Sequence, residues 1–226
     1  MPSVLVTGAN RGLGLEFARQ YAAAGWRVHA ACRDPNATEA LAALPGAISR
    51  HALEVTDDGQ IAALAAELAG SPLDLLINNA GINYDNGEFG DSDPVSWLDT
   101  LRVNTIAPLR VAEGLIGSLL LGERKVIVNL SSKMASIAEN ASGGDYAYRT
   151  SKAALNMLTR GMAHDLSSRG VTVVVISPGW VQTDMGGPSA PLPVADSIAG
   201  MRRVIDKLRP ADSGSFLDWQ GRVMPW

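Results

Sequence analysis

Cysteine is almost absent from this sequence: Cys32 is the only thiol in 226 residues. One cysteine cannot close a disulfide within the chain, so nothing points to an oxidising compartment. Charged residues make up only 19% of the chain and aromatic ones 5%, and the net charge is −4 with no cluster of lysine and arginine. That balance excludes the basic patch that a nucleic-acid or anionic-membrane surface requires. No apolar run approaches the ~18 residues of a membrane span, and no basic-then-apolar leader follows Met1. His29, His51 and His164 are scattered without metal-ligand spacing, so they read as structural histidines and no metal site is expected. The expectation is a cytoplasmic protein with no nucleic-acid or membrane partner.

Apolar residues and glycine are plentiful, at 46% of the chain and 23 positions. A chain of this length can bury roughly 70–75% of its unfolded surface, so a large core is within reach. Short apolar runs alternate with longer amphipathic stretches. Ser3 to Thr7, Trp26 to Ala31, Ile48 to Leu53, Leu73 to Ile77, Arg124 to Leu130 and Val171 to Ile176 read as strands. Helices are predicted from Gly12 to Ala24, from Asn36 to Leu44, around Ile61 to Leu68, from about Pro94 to Leu121, around Leu155 to Leu166 and from Val194 to Leu208. Ile61, Leu64, Ala65 and Leu68 repeat at i, i+3, i+4 and i+7, the spacing of a helix packed on one side. Continuous rather than alternating apolar strands belong to a sheet covered on both faces, and strand–helix alternation implies parallel crossovers. The fold class is therefore α/β, a single-domain doubly wound parallel sheet with helices on both faces.

The first strand runs into Thr7-Gly8-Ala9-Asn10-Arg11-Gly12-Leu13-Gly14 and then a helix. Glycines at such a place let the chain turn tightly and let a pyrophosphate approach free helix N–H groups and the positive end of the dipole. The spacing, Gly-x-x-x-Gly-x-Gly, is a variant of the dinucleotide fingerprint, and a purely structural turn is the alternative. An acidic ribose ligand is usual at the tip of the second strand, but here Cys32-Arg33-Asp34 stands there. Arg33 would attract a 2′-phosphate, with Arg11 able to join it, which favours NADP over NAD. The alternative is that both are ordinary solvated arginines. Tyr148 and Lys152 stand four residues apart on one helix face. An ammonium near a phenol should lower its pKa and fit it for proton exchange with an alcohol or carbonyl oxygen.

Taken together these motifs resemble the short-chain dehydrogenase/reductase family over nearly the whole chain. The resemblance rests on the glycine turn, Asn78-Asn79-Ala80-Gly81, Tyr148-Arg149-Thr150-Ser151-Lys152 and Ser177-Pro178-Gly179-Trp180-Val181-Gln182-Thr183-Asp184, in that order. More narrowly, the Tyr-Arg-Thr-Ser-Lys segment, Pro178 to Gly187 and Gly221-Arg222-Val223-Met224-Pro225-Trp226 look like the C-factor/sniffer-type carbonyl reductase branch. The resemblance implies a Rossmann-type fold and catalysis by Ser132, Tyr148, Lys152 and Asn104, with Ser131 as the alternative serine. It also implies cofactor contacts from Gly8, Asn10, Arg11, Gly12, Leu13, Gly14, Arg33, Glu54, Val55, Asn79, Ala80, Gly81, Lys152, Pro178, Gly179, Val181 and Thr183. Glu54 stands where the family commonly has Asp, and Ser132 lies about three residues further from the tyrosine than is usual. The extra residues fall in Glu139 to Gly144, which with Thr183 to Pro193 would border a small carbonyl or alcohol substrate. Family members are usually homodimers or homotetramers, so a second copy is the expected partner.

Overall fold

The computed structural model describes residues 1–36, 39–84 and 88–226. Its strands are β1 (Ser3–Thr7), β2 (Arg27–Cys32), β3 (Ile48–Ala52), β4 (Leu75–Asn78), β5 (Val126–Leu130), β6 (Thr172–Ser177) and β7 (Phe216–Asp218). They form one sheet in the order β3-β2-β1-β4-β5-β6-β7, with every adjacent pair parallel. The helices are α1 (Gly12–Ala23), α2 (Glu39–Ala42), α3 (Asp58–Glu67), α4 (Pro94–Leu101), α5 (Ala107–Leu121), α6 (Tyr146–Asp165) and α7 (Val194–Asp206).

Strands β1, β4, β5, β6 and β7 are buried at every position, as continuous apolar runs between two helical layers must be. On one face Val4, Val6, Val128 and Ile176 pack with Phe17 and Tyr21 of α1, Leu41 of α2 and Ile198, Met201 and Ile205 of α7. On the other, Leu5, Leu76, Ile127 and Val173 meet Ile61 and Leu64 of α3, Val111 and Leu115 of α5 and Met162 of α6. This is the doubly wound single domain that the alternation of strands and helices predicts. Strand order reverses between β1 and β4, and ligands of such sheets bind in the crevice that this reversal opens at the carboxyl ends.

Local chemistry explains most boundaries. Asp57 accepts from Gly59 N (2.8 Å) and Gln60 N (3.1 Å) to start α3, and Asp93 caps α4 in the same way, with Pro94 in the first turn. Two elements differ from expectation. The short helix predicted over Asn36 to Leu44 is one turn, Glu39–Ala42, and positions 37 and 38 lie outside the described residues. The continuous helix predicted from Pro94 to Leu121 contains a π-helical turn, Arg102–Ile106, between α4 and α5. β7 has only three residues, too few for a periodic signal.

Among the described residues no helix is long and apolar enough to cross a membrane, and no group of three or more His, Cys, Asp or Glu could hold a metal ion. His29 and His51 are buried and joined, Nδ1 to Nε2 at 3.0 Å, and the other ring nitrogen of His51 meets Glu67 at 3.1 Å. Both are structural histidines of the β2–β3–α3 layer.

Candidate active site

At the carboxyl end of β1 the chain makes its glycine turn. Gly8 (φ +64°) and Gly12 (φ +52°) occupy the left-handed region that glycine alone adopts freely. Gly14 has ordinary angles, but a Cβ there would land on the Gly8 carbonyl oxygen and 2.7 Å from Asn79 Nδ2. The first turn of α1 carries no acidic residue and no side-chain cap, so its leading N–H groups and the positive end of its dipole face the crevice. Thr7 Oγ1 accepts from both Asn79 N and Ala80 N at 3.0 Å, and Asn79 Nδ2 donates to Thr7 O at 2.8 Å. These bonds tie the ends of β1 and β4 together across the strand-order reversal. A cradle of glycines at an uncapped helix start fits the pyrophosphate of a dinucleotide.

On the other side of the reversal, α6 brings Tyr148 and Lys152 to the end of β5. Ser132 stands close enough for its hydroxyl to pull the Tyr148 pKa down, whereas Ser131 is buried with its hydroxyl toward Lys152 O at 3.5 Å. Lys152 is buried, donates to Leu130 O at 2.9 Å and places Nζ 5.8 Å from the centre of the Tyr148 ring. Burial pushes its pKa down to about 8. Burial likewise pushes the Tyr148 phenol up, against the pull of the Ser132 hydroxyl. An ammonium four residues along is expected to lower this phenol, but among the chain's own groups burial is the largest influence and the net direction is upward.

Asn104 sits in the π-helical turn, fully buried. Its side chain accepts from Ile82 N (2.9 Å) and donates to Ile82 O (2.8 Å) and Ser151 Oγ (3.1 Å). It therefore braces the chain after Gly81 against α6. A Cβ on Gly81 would stand 3.2 Å from Asn104 Oδ1 and 3.5 Å from Lys152 Nζ, so the glycine keeps these two polar groups within reach of one another. Wide turns of this kind frequently mark functional sites, and this one carries its polar residue into the core.

The short chain dehydrogenase family model matches residues 2–191. The chain belongs to the short-chain dehydrogenases. Among its relatives, C-signal of Myxococcus xanthus is 47% identical over 164 residues, covering 73% of this chain and 99% of that protein. The NADPH-bound carbonyl reductase from chicken fatty liver is 40% identical, with a TM-score of 0.92 over 100% of this chain and 99% of that one. The carbonyl reductase Sniffer of D. melanogaster is 34% identical, with a TM-score of 0.95 over 100% of both chains.

The other motif positions of a short-chain dehydrogenase lie around the same crevice. Arg33 is exposed at the carboxyl end of β2, and it acts electrostatically on Tyr84, which follows β4. The Arg11 guanidinium pairs with Asp184 of the loop after β6. Both partners are exposed, so the pair is screened and readily exchanged for another anion. The Glu54 carboxylate accepts from Thr56 N and Oγ1, which shapes the turn after β3 around Val55. Pro178 O accepts from Ser197 Oγ (2.7 Å), and Gly179 (φ +85°) packs against Leu192 and Trp219.

Thr183 to Pro193, expected to border the substrate, is internally bonded. Gly186 N donates to Thr183 Oγ1 (3.1 Å), Gly187 N to Thr183 O (2.8 Å), and Trp180 Nε1 to Gly186 O (2.7 Å). Trp180 is 57% exposed and Met185 51%. Cys32 is buried, and burial raises its thiol pKa. Two supporting groups escaped the sequence reading: Thr7, whose double acceptance was visible only as the first letter of the glycine motif, and Arg149, whose position beside Tyr148 gave no sign that it holds a loop.

Proposed function

We propose that this short-chain dehydrogenase is an NADP-dependent carbonyl reductase that converts a small aldehyde, ketone or diketone to its alcohol. The observation that carries the reading is the convergence of Ser132, Tyr148 and buried Lys152 at the carboxyl end of β5, in a parallel sheet whose β1 ends at the same edge in the glycine turn. Gly8, Asn10, Arg11, Gly12, Leu13 and Gly14 would hold the pyrophosphate. Arg33 would meet the 2′-phosphate, Glu54 and Val55 the adenine, and Asn79, Ala80 and Gly81 the adenosine ribose. Lys152 would take the other ribose, with Pro178, Gly179, Val181 and Thr183 on the carboxamide. When bound, the reduced nicotinamide supplies the hydride.

The chain's own residues handle the oxygen. Ser132 donates to the substrate carbonyl oxygen and stabilises its developing charge. Tyr148 delivers the proton, and a phenol whose pKa is pushed up, so that it holds its proton at neutral pH, suits reduction better than oxidation. Lys152 supplies positive charge behind the phenol, and Asn104 fixes the strand-end loop that faces it. Val95, Leu98, Ile106 and Met157 are each more than half exposed, and they give α4, the π-helical turn and α6 an apolar surface for a second copy.

Assays of a broad carbonyl panel with NADPH and NADH test the reading. Turnover with NADPH should fall by about 10²–10⁴-fold in Tyr148→Phe; an inert wild type, or a variant of full activity, overturns it. The likeness to C-signal favours a second reading, a dinucleotide-binding signalling protein with little catalysis. Rescue of a deletion phenotype by Tyr148→Phe as fully as by the wild type would select it.

A further inference from the structure

Beyond β7 the chain turns back along the sheet edge. Leu217 and Val223 form an antiparallel bridge, and Met224 N donates to Phe216 O at 2.8 Å. The Trp226 ring stacks on Phe216, with centroids 5.5 Å apart and planes at 25°. Phe216 is itself buried against Val175 and Ala135, so the indole rests on the rigid edge of the sheet.

From that seat the Trp226 carbonyl oxygen reaches another part of the molecule. It accepts from Ala138 N at 2.9 Å and from Ser136 Oγ at 3.2 Å, and Ser136 Oγ accepts in turn from Glu139 N at 3.2 Å. Ser136 closes the 3₁₀ turn Lys133–Ala135, which Ser132 opens by accepting from Met134 N at 3.1 Å. The same loop is tied at its far end by Arg149, which donates from Nε to Gly144 O (3.1 Å) and from Nη2 to Ser142 Oγ (2.9 Å). Residues 136–144 are thus a span fixed at both ends, between the serine and the tyrosine of the site.

We propose that Trp226 is a positioning residue. Through Ser136 and Ala138 it sets the wall that residues 136–144 present to the substrate, and so selects carbonyl compounds by size. This rests on the reductase reading of the Ser132–Tyr148 site. Trp226 is held by Phe216, Ser136 and Ala138, none of them a residue assigned to the dinucleotide, so dinucleotide binding should be untouched.

The test compares full-length wild type with Trp226→Ala, Trp226→Phe and Ser136→Ala. The readouts are kcat and KM for propanal and for a bulky aryl ketone, NADPH affinity by fluorescence, and hydrogen exchange at the amides of 136–144. Trp226→Ala keeps the backbone oxygen but removes the ring that seats it on Phe216; the ratio of kcat/KM between the two carbonyls should shift about tenfold, the order of one aromatic pair, with NADPH affinity within about twofold. Trp226→Phe keeps the stack and should restore the ratio. Ser136→Ala removes one tie without touching the indole and should shift it in the same direction. An unchanged ratio in folded Trp226→Ala overturns the proposal, as does an equal loss for both substrates.

If the wild type reduces neither carbonyl, the reductase reading falls separately. Hydrogen exchange then decides the rest: the 136–144 amides should exchange about tenfold faster in Trp226→Ala, and no change refutes the clasp. If that variant does not fold, the same two readouts on Ser136→Ala decide.

Discussion

Replacing Lys152 by methionine should abolish turnover and leave the fold at least as stable at neutral pH. Lys152 is buried, and its pKa falls from 10.5 to about 8 because burial disfavours the ammonium. A tenfold change in proton affinity is worth about 1.4 kcal/mol, so the charged form costs the native state about 3 kcal/mol relative to the neutral amine. Between pH 10.5 and about 8 the unfolded chain binds a proton that the folded chain refuses, so stability falls as pH drops through that window and is lowest below it. Methionine carries no such cost, but it gives up the hydrogen bond to Leu130 O, worth roughly 1.5–3 kcal/mol for a charged donor. The variant should therefore gain about 0–2 kcal/mol at neutral pH and lose that advantage, by about 3 kcal/mol, as pH approaches 10.5. Urea unfolding of both proteins across this range, with the difference taken at each pH, measures it. A variant-minus-wild-type difference that does not move with pH would refute the reasoning, as would a loss above about 3 kcal/mol at neutral pH.

Other perturbations probe the rest of the molecule. Arg33→Ala should weaken NADPH about tenfold or more and NADH by less than about twofold in paired titrations, and equal losses would remove Arg33 from the 2′-phosphate. Gly14→Ala forces a methyl onto the Gly8 carbonyl, and should cost roughly 1–3 kcal/mol in urea unfolding together with a marked loss of dinucleotide affinity. Burial, with His51 and Arg27 close by, holds His29 down to about 4, well under its ordinary 6.5. Folding stability should therefore decline by up to roughly 3 kcal/mol as pH falls across that interval, because only the unfolded chain takes up the proton. His29→Gln, which cannot titrate, should show a clearly shallower acid limb in pH-resolved denaturation, and identical limbs would exclude this histidine as the cause.

The sequence made the architecture legible because strands buried on both faces leave unbroken apolar runs, and Val4-Leu5-Val6 and Val173-Val174-Val175-Ile176 are such runs. β7 escaped because Phe216, Leu217 and Asp218 are too few for a period, and the strand exists through pairing with β6 and the bridge to Val223. Tyr148 and Lys152 were readable from their spacing and Ser132 only from the family resemblance, against a spacing about three residues too long; the structure brings all three to one end of the sheet. The direction in which the Tyr148 pKa moves was not readable, since it depends on how much protein surrounds the phenol rather than on which residue lies four places along. Arg11 was assigned to the 2′-phosphate by charge alone, and only the folded chain shows Asp184 competing for it. Asn104 was expected at the site from the family resemblance alone; the π-helical turn and the three partners of its side chain were not readable from the sequence.

That turn also fixes the angular phase of everything after it. Because its backbone bonds span five residues instead of four, α5 emerges rotated relative to the line that α4 would have continued. Val111 and Leu115 consequently reach the sheet while Asn104 still points inward. A chain with ordinary winding here would have to give up one or the other, so this single irregular turn lets one long helical segment serve both the hydrophobic layer and the polar end of the crevice.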